Sequence, residues 1–519
     1  MKRAYLFEAK GIQRWVLEGD KLRDIAAASA LLDWTARSGG RDDLLGEVLA
    51  RTEFAPRISR RAGGAFMLHF DDDGETAFAR FRVLWRLAFM RLLPGLEFQE
   101  ALAASADDRA AGTLAYAPAS RLSFGREGGA ASLLPLSHPL ATLCQRTGAP
   151  ATATYSGGEA IDQATLAKRR ARRLSDGVAE RLGEGLDGAV WPNQMEIDSE
   201  NSDGGALFPF RSPEDRIAVV HADISGLGAF YVGVRQETAK LPQEQALTMA
   251  KKASDNIEAA VLAAGQQATR EVLWGEKSKN GVIPARPILV GGDDITLIVR
   301  GDLAMRFTRC FLEALEAETE RVVKRRLTAA AGIAFGGPKQ PFFRLLRLAE
   351  GLCGFAKTRA KGAAGAGATP PSVLAFHRVT ESALSTGAAE MLSRPPGSCQ
   401  PYRLGAIPAT GLAEFTGLIE VLRAMEQDEI KPGGLRAIRG MAAEDRSEDA
   451  REAWAAWRRA AASRPGGPAA LKALDAGVAA TLGQGIAAGS SNDLSAVFAG
   501  QEFTGGSPLF DALEWRAVA

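Results

Sequence analysis

The chain has 519 residues, of which 46% are hydrophobic and 24% charged, as in globular proteins large enough for several domains. Its 63 basic and 62 acidic residues nearly cancel, so no overall positive charge indicates a nucleic-acid-binding surface. The sequence predicts no membrane span and no signal peptide, and its four cysteines form no Cys-x-x-Cys pair. We therefore expect a cytoplasmic protein without disulfides or a complete zinc site.

The first 110 residues alternate between strand and helix signals. An apolar strand is predicted around Tyr5, followed by Gly11 and an amphipathic helix over about 20–37. A hairpin is predicted around Gly64, between two short apolar runs. We predict that residues 1–110 form the first domain.

The next segment, 111–210, is richer in glycine, serine and turn residues. It contains a basic helix over about 160–184, and we predict a small connecting domain. His138 and Cys144 are the potential metal ligands in this segment, whereas a structural zinc site needs four. A bound zinc ion is therefore not expected.

The most informative pattern lies in the second half of the chain. A strand ends at Asp223, a turn containing Gly226 follows, and a long helix is predicted over about 236–264. Residues 287–299 read PILVGGDDITLIV, two β-favouring runs joined by a tight glycine turn, which predicts a β-hairpin. Its tip carries the adjacent carboxylates of Asp293 and Asp294.

The hairpin is followed by further alternating elements and then by a helical region. Residues 211–394 are predicted to form one domain, and 395–519 an α-helical C-terminal domain with glycine and proline between its helices. The predicted elements after the hairpin are a helix at 302–326, a strand at 328–335, a helix at 342–358, a flexible loop at 362–367 and a closing strand at 372–376.

The two strand-helix-hairpin units indicate a weak internal duplication. Glu8 in the first unit corresponds to Asp223 in the second. Ala65 and Phe66 stand where the second unit has its two hairpin aspartates. The first unit keeps the turn glycines but has lost the acids, so we interpret it as structural and the second as chemical.

Carboxylates at a strand end and at a neighbouring hairpin tip suit a pair of divalent cations. Asp223, Asp293 and Asp294 are the predicted ligands, and the backbone carbonyl of Ile224 is a further one. Two Mg²⁺ or Mn²⁺ ions in this arrangement activate an attacking hydroxyl and neutralise a triphosphate. The alternative is a polar turn with a helix-capping aspartate. We predict nucleotidyl transfer, with the three aspartates as the catalytic residues.

Six segments, in this order, resemble the large polymerase/cyclase-like subunit of type III CRISPR effector complexes. The resemblance extends over nearly the whole chain, and GGDD alone is only moderately specific. The segments are GIQRWVLEGDKLRDIAAASALLD (11–33), LCQRTGAPA (143–151), HADISGLGAF (221–230), VGGDD (290–294), TAAAGIAF (328–335) and AEGLCGFAKTRAKG (349–362).

This resemblance implies an α+β fold with two ferredoxin-like palm domains, the first degenerate and the second active through GGDD, besides the connecting and C-terminal helical domains. It implies ATP as substrate and a cyclic or short oligoadenylate as product. The implied partners are other effector subunits, with guide and target RNA bound through the complex and target RNA switching the activity. Many members carry an N-terminal His-Asp nuclease domain, and since no His-Asp pair occurs here, we expect no DNase activity.

The nucleotide-binding prediction combines turn residues with one lysine. Glycines allow a phosphate to approach the backbone closely, and Lys357 resembles the family lysine that contacts the triphosphate. A surface lysine at a helix end is the alternative for Lys357. The predicted nucleotide-binding residues are Ser225, Gly226, Gly228, Gly291, Gly292 and Lys357.

Two other functions stay open on the sequence. The ADISG segment followed by a hairpin also resembles other palm-type cyclases, which make cyclic dinucleotides or mononucleotides. A non-catalytic scaffold subunit of the effector complex is the second alternative. The degenerate duplicate and the helical C-terminal domain argue against the first, and the intact GGDD argues against the second.

Overall fold

The computed structural model describes residues 2–18, 21–36, 43–62, 64–105, 140–173, 177–195, 206–212, 214–365, 367–380, 398–444, 446–482 and 507–518. These residues form an α+β structure with one four-stranded, one seven-stranded and one two-stranded sheet. Much of the predicted connecting domain, including His138, lies outside the described residues.

The first palm is a four-stranded antiparallel sheet in the order β2-β3-β1-β4. One face buries an aromatic cluster in which Phe7 stacks on Phe66, with 5.3 Å between the ring centroids. Its elements are β1 (Lys2–Lys10), α1 (Ile12–Leu17), α2 (Leu22–Ala36), α3 (Leu44–Arg51), β2 (Arg57–Ala62), β3 (Ala65–Phe70), α4 (Glu75–Leu92) and β4 (Glu97–Ser105).

The connecting segment contributes a short hairpin and two helices. The basic helix predicted over 160–184 is interrupted, because α5 ends at Arg170 and α6 begins at Gly177. Lys168 is buried, and its ammonium donates to the backbone carbonyl of Glu18 at 2.9 Å, which attaches this segment to the first palm. The elements are β5 (Ala153–Tyr155), β6 (Glu159–Ile161), α5 (Gln163–Arg170) and α6 (Gly177–Leu182).

The second palm follows the predicted order with two differences. The long helix predicted at 236–264 is two helices, which separate before Pro242. The loop predicted at 362–367 is helical as far as Ala364, because alanine favours the helix enough to carry it through Gly362. The elements are β7 (Ile217–Ser225), α7 (Leu227–Thr238), α8 (Gln243–Ala268), β8 (Ala285–Gly291), β9 (Asp294–Arg300), α9 (Gly301–Val322), β10 (Thr328–Gly336), α10 (Phe342–Ala364) and β11 (Ser372–Arg378).

The C-terminal region is mostly helical, and its first two strands extend the sheet of the second palm. That sheet has the order β13-β12-β11-β10-β7-β9-β8. Trp454 is buried and stacks on Trp457, with 5.1 Å between the ring centroids. None of the described helices is both long and apolar enough to cross a bilayer. The elements are β12 (Tyr402–Leu404), β13 (Ala413–Glu414), α11 (Phe415–Met425), α12 (Pro432–Ala443), α13 (Ser447–Ala462), α14 (Gly467–Leu482) and α15 (Pro508–Arg516).

The two palms share one strand order, which confirms the predicted pair of ferredoxin-like domains. The order β2-β3-β1-β4 of the first sheet matches β8-β9-β7-β10 of the second. The palms also contact each other directly, since β2 packs against α8 and the Ser29 hydroxyl donates to the Ile288 carbonyl at 2.6 Å. The hairpin of the second palm therefore lies beside the first palm.

Candidate active site

The backbone places the three predicted aspartates at one end of the second sheet. Asp223 lies directly opposite Asp294 in the antiparallel pair β7–β9. Gly292 and Asp293 form the two-residue turn, and Gly292 has φ 68°, a conformation that glycine adopts without strain. The Ile224 amide donates to the Asp293 carbonyl at 3.1 Å, which fixes the turn against β7.

The aspartate side chains repel one another in their ionised form. Burial, followed by the charges of Asp293 and Asp223, raises the pKa of Asp294 to about 7. Burial and the charge of Asp223 also raise the pKa of Asp293. A cation between or beside the two carboxylates would relieve this repulsion.

Lys357 supplies such a cation in this structure. Its side chain extends from α10, and the ammonium donates to the Asp223 carboxylate and, at 2.9 Å, to the Ile224 carbonyl. Two of the four predicted metal-binding residues thus already contact one positive charge. Lys357 therefore contacts Asp223 and Ile224, two of the predicted metal ligands.

The fit of this site to divalent ions rests on charge and donor type. Within the described ranges, no group of three or more His, Cys, Asp or Glu side chains is already gathered as a metal site. The donors present are nevertheless carboxylate and carbonyl oxygens, which Mg²⁺ and Mn²⁺ prefer. The Lys357 ammonium, held by Asp223 and the Ile224 carbonyl, shows that these oxygens accept a positive charge.

A cavity of about 1040 Å³ opens beside Asp223 and Asp293, whereas Asp294 lines a separate cavity. Asp223, Asp293 and Lys357 line the cavity of about 1040 Å³, as do four of the five other predicted nucleotide-binding residues, Ser225, Gly226, Gly228 and Gly292. Gly291 is the last residue of β8. Gly226 has φ 77° at the start of α7, so a turn requires glycine there, whereas Gly228 faces open space.

Gln13 is a residue of this site that the sequence analysis did not identify. It lies on α1 of the first palm, and its side-chain amide donates to the Asp294 carboxylate at 3.1 Å. The bond lowers the pKa of Asp294, against the larger effect of burial. Gln13 lies in the segment 11–33 that carries the family resemblance, but no role was assigned to it from the sequence, because the contact depends on how the two palms pack.

We expect Gln13→Ala to reduce nucleotide turnover by roughly tenfold, the effect of one hydrogen bond to a charged group. The variant leaves Asp294 without its donor from the first palm. Steady-state rates at several Mn²⁺ concentrations measure the effect. Gln267→Ala is the control, because Gln267 donates to Glu271, its one side-chain partner among the described residues, and lines neither cavity of the site. Equal rates for both variants would show that the Gln13 bond is irrelevant.

Comparison with known proteins gives similarity at the level of solved structures. No protein-family model and no curated protein matches the chain. The apo Csm1–Csm4 cassette matches at 14% identity over 69% of this chain and 53% of that one, with a TM-score of 0.41. The Csm1–Csm4 cassette in complex with cA4 matches at 12% identity, 82% and 63% coverage, and a TM-score of 0.42. The cassette in complex with one ATP matches at 14% identity, 69% and 54% coverage, and a TM-score of 0.41.

The aligned part of this chain therefore corresponds to between about half and two thirds of those chains. At such identities and TM-scores the comparison adds no functional argument. The function has to be argued from the residues of the site and from the order of the sequence motifs.

Proposed function

We propose that this protein is a nucleotidyltransferase of the cyclase type that converts ATP into cyclic or short oligoadenylates. The observation that carries the proposal is the register of the second palm, which sets Asp223 opposite Asp294 beside the Asp293 turn. The Lys357 ammonium contacts Asp223, and Asp223 and Asp293 line a cavity of about 1040 Å³. Adenine selectivity and the oligoadenylate product rest on the family resemblance.

Two divalent ions, Mg²⁺ or Mn²⁺, would be held by Asp223, Asp293, Asp294 and the Ile224 carbonyl. Bound there, they would supply charge neutralisation for the triphosphate and an activated hydroxyl. Lys357 would contact phosphate oxygens once its bond to Asp223 is exchanged for one to substrate. The glycines at Gly226 and Gly228 leave the backbone open to a phosphate. No protein nucleophile is needed, because positioning and electrostatics supply most of the rate.

The setting of the proposed activity follows from the same family resemblance. We propose that the protein acts as the large subunit of a type III CRISPR effector complex and assembles with other effector subunits. Guide RNA and target RNA would be bound through that complex, and target RNA would switch turnover on. A cytoplasmic location belongs to the same proposal.

Incubation with each α-labelled NTP separately tests the reaction. We expect pyrophosphate release and labelled oligonucleotides from ATP with Mn²⁺ or Mg²⁺, and none with EDTA. The purified chain is compared with the chain in a complex with guide RNA, with and without target RNA. Cyclic dinucleotides or mononucleotides as the main product would favour another palm-type cyclase. Absence of any NTP conversion in the target-bound complex would favour a scaffold subunit.

A further inference from the structure

A second cavity lies on the other side of the hairpin, between the two palms. It has a volume of about 780 Å³, and its lining comes from the first palm, the connecting segment and the second palm. Gly292 and Asp293 line both this cavity and the one beside Lys357. The hairpin tip therefore forms part of the wall of both cavities.

Arg60 is the one basic side chain, among the residues that the structure describes, that lines both cavities. It belongs to β2, the edge strand of the first palm that packs against α8. Asp293 lines both cavities as well, and Lys357 of the second palm lines one of them. Asp293 thus shares a cavity with one cation from each palm.

The direction of the Arg60 side chain is set by an irregularity in β2. Ile58 pairs with Leu68 and Arg60 with Met67, so Ser59 is an extra residue in the strand. Ser59 is buried, and its hydroxyl is hydrogen-bonded to the ring of His69 at 2.6 Å. Such bulges redirect the following side chain and are common next to functional sites.

The guanidinium of Arg60 is available to a ligand. Within the described part of the chain it makes no hydrogen bond and no ion pair. Two other cations of the second cavity are engaged, since Lys10 pairs with Glu8 at 2.6 Å and Arg181 with Asp33 at 2.6 Å. Arg60 is half-buried and lines the cavities beside Asp293. A guanidinium without a partner in such a place suits an anion with several oxygens, because its planar group donates two parallel hydrogen bonds.

We propose that Arg60 of the degenerate palm is a substrate-contacting residue, which binds a phosphate group of the nucleotide held at the Asp293 turn. The proposal deepens the proposed function and gives the first palm a direct part in the reaction. Arg60 would stabilise the negative charge on the phosphate from the side opposite to Lys357. The degenerate palm then supplies charge to the site although it has lost its own acids.

Three variants and two readouts test this proposal. Arg60→Ala is expected to lower kcat/KM for ATP by about 10²-fold, as loss of one charged contact to a reacting group does, and Arg60→Lys to restore part of it. Arg57→Ala is the matched control, because Arg57 lies on the same strand and pairs with Glu244 across the palms but lines neither cavity. Binding of inorganic tripolyphosphate, measured by calorimetry, should weaken at least tenfold in Arg60→Ala only.

The two readouts separate this inference from the proposed function. If wild-type protein turns over ATP and Arg60→Ala behaves as Arg57→Ala does in both assays, the role of Arg60 is wrong and the cyclase proposal stands. If wild-type protein turns over no NTP but loses tripolyphosphate binding in Arg60→Ala, the cyclase proposal fails and the phosphate contact stands. Equal loss of binding in Arg57→Ala would point to the packing of β2 and overturn the inference.

Discussion

Replacing Asp293 and Asp294 together with alanine is expected to abolish nucleotide turnover, by about 10³-fold or more, without unfolding the protein. Turnover is lost because the proposed site would keep only Asp223 as a charged ligand, and single preorganised groups of this kind already contribute 10²–10³-fold, as a rough guide. Labelled-ATP turnover by the wild-type protein and the double variant measures the loss. Wild-type rates in the variant would place the active site elsewhere.

The same variant should gain stability, in a manner that depends on pH. The pKa of Asp294 rises from 3.8 to about 7 on folding, so between these values the folded protein binds more protons than the unfolded one. The free energy of unfolding of the wild-type protein therefore falls as pH rises across this window. Removing the two carboxylates should recover roughly 4 kcal/mol at pH 8, since a tenfold difference in proton affinity corresponds to about 1.4 kcal/mol, and almost nothing at pH 4.

A matched control is the double variant Asp72→Ala and Asp73→Ala. These adjacent aspartates are exposed and lie after β3 of the first palm. Denaturant unfolding of this control should not show the recovery between pH 4 and 8, and its ATP turnover should equal that of the wild type. A recovery of equal size in both double variants would mean that net charge alone, and not repulsion at the hairpin, sets the effect.

Local sequence signals were enough to predict the strand and the hairpin that carry Asp223, Asp293 and Asp294. The apolar runs around Gly291-Gly292 predicted the β8–β9 hairpin, and the strand ending near Asp223 is its neighbour β7. The duplication, inferred from Gly11 and Gly64 in the first copy, corresponds to a shared strand order. These predictions were possible because turn glycines and β-favouring runs determine hairpins and strands through neighbouring residues alone.

Features that depend on packing between distant segments were not predictable. Gln13 and Arg60 reach the hairpin only because the two palms pack together. The Ser59 bulge needs the buried ring of His69 on the neighbouring strand. The strand Tyr402–Leu404, predicted to lie in a helical region, pairs with β11 because its buried Tyr402 and Leu404 complete the sheet's apolar face. The catalytic role of the aspartates and the exact domain limits stay predictions.

Removal of the Lys357 ammonium should affect metal binding and turnover in opposite directions. In Lys357→Ala, Asp223 and the Ile224 carbonyl lose the cation that they now contact. A divalent ion then no longer competes with the ammonium, so the affinity of the nucleotide-free protein for Mn²⁺ should increase several-fold. Turnover of ATP should nevertheless fall by about 10²-fold, because a charge that would move to the phosphates is missing.

Lys361→Ala is the control for this variant, since Lys361 lies on the same helix and lines the same cavity but is exposed and does not contact Asp223. Mn²⁺ binding without nucleotide is followed by electron paramagnetic resonance, and turnover is measured with labelled ATP. If Lys357 only holds the Asp223 side chain in position, its removal would weaken Mn²⁺ binding and also slow ATP turnover. Stronger Mn²⁺ binding together with slower ATP turnover is expected only where the lysine and the metal share the same oxygens. That combination would identify Lys357 as a cation that is displaced from Asp223 when metal and nucleotide bind.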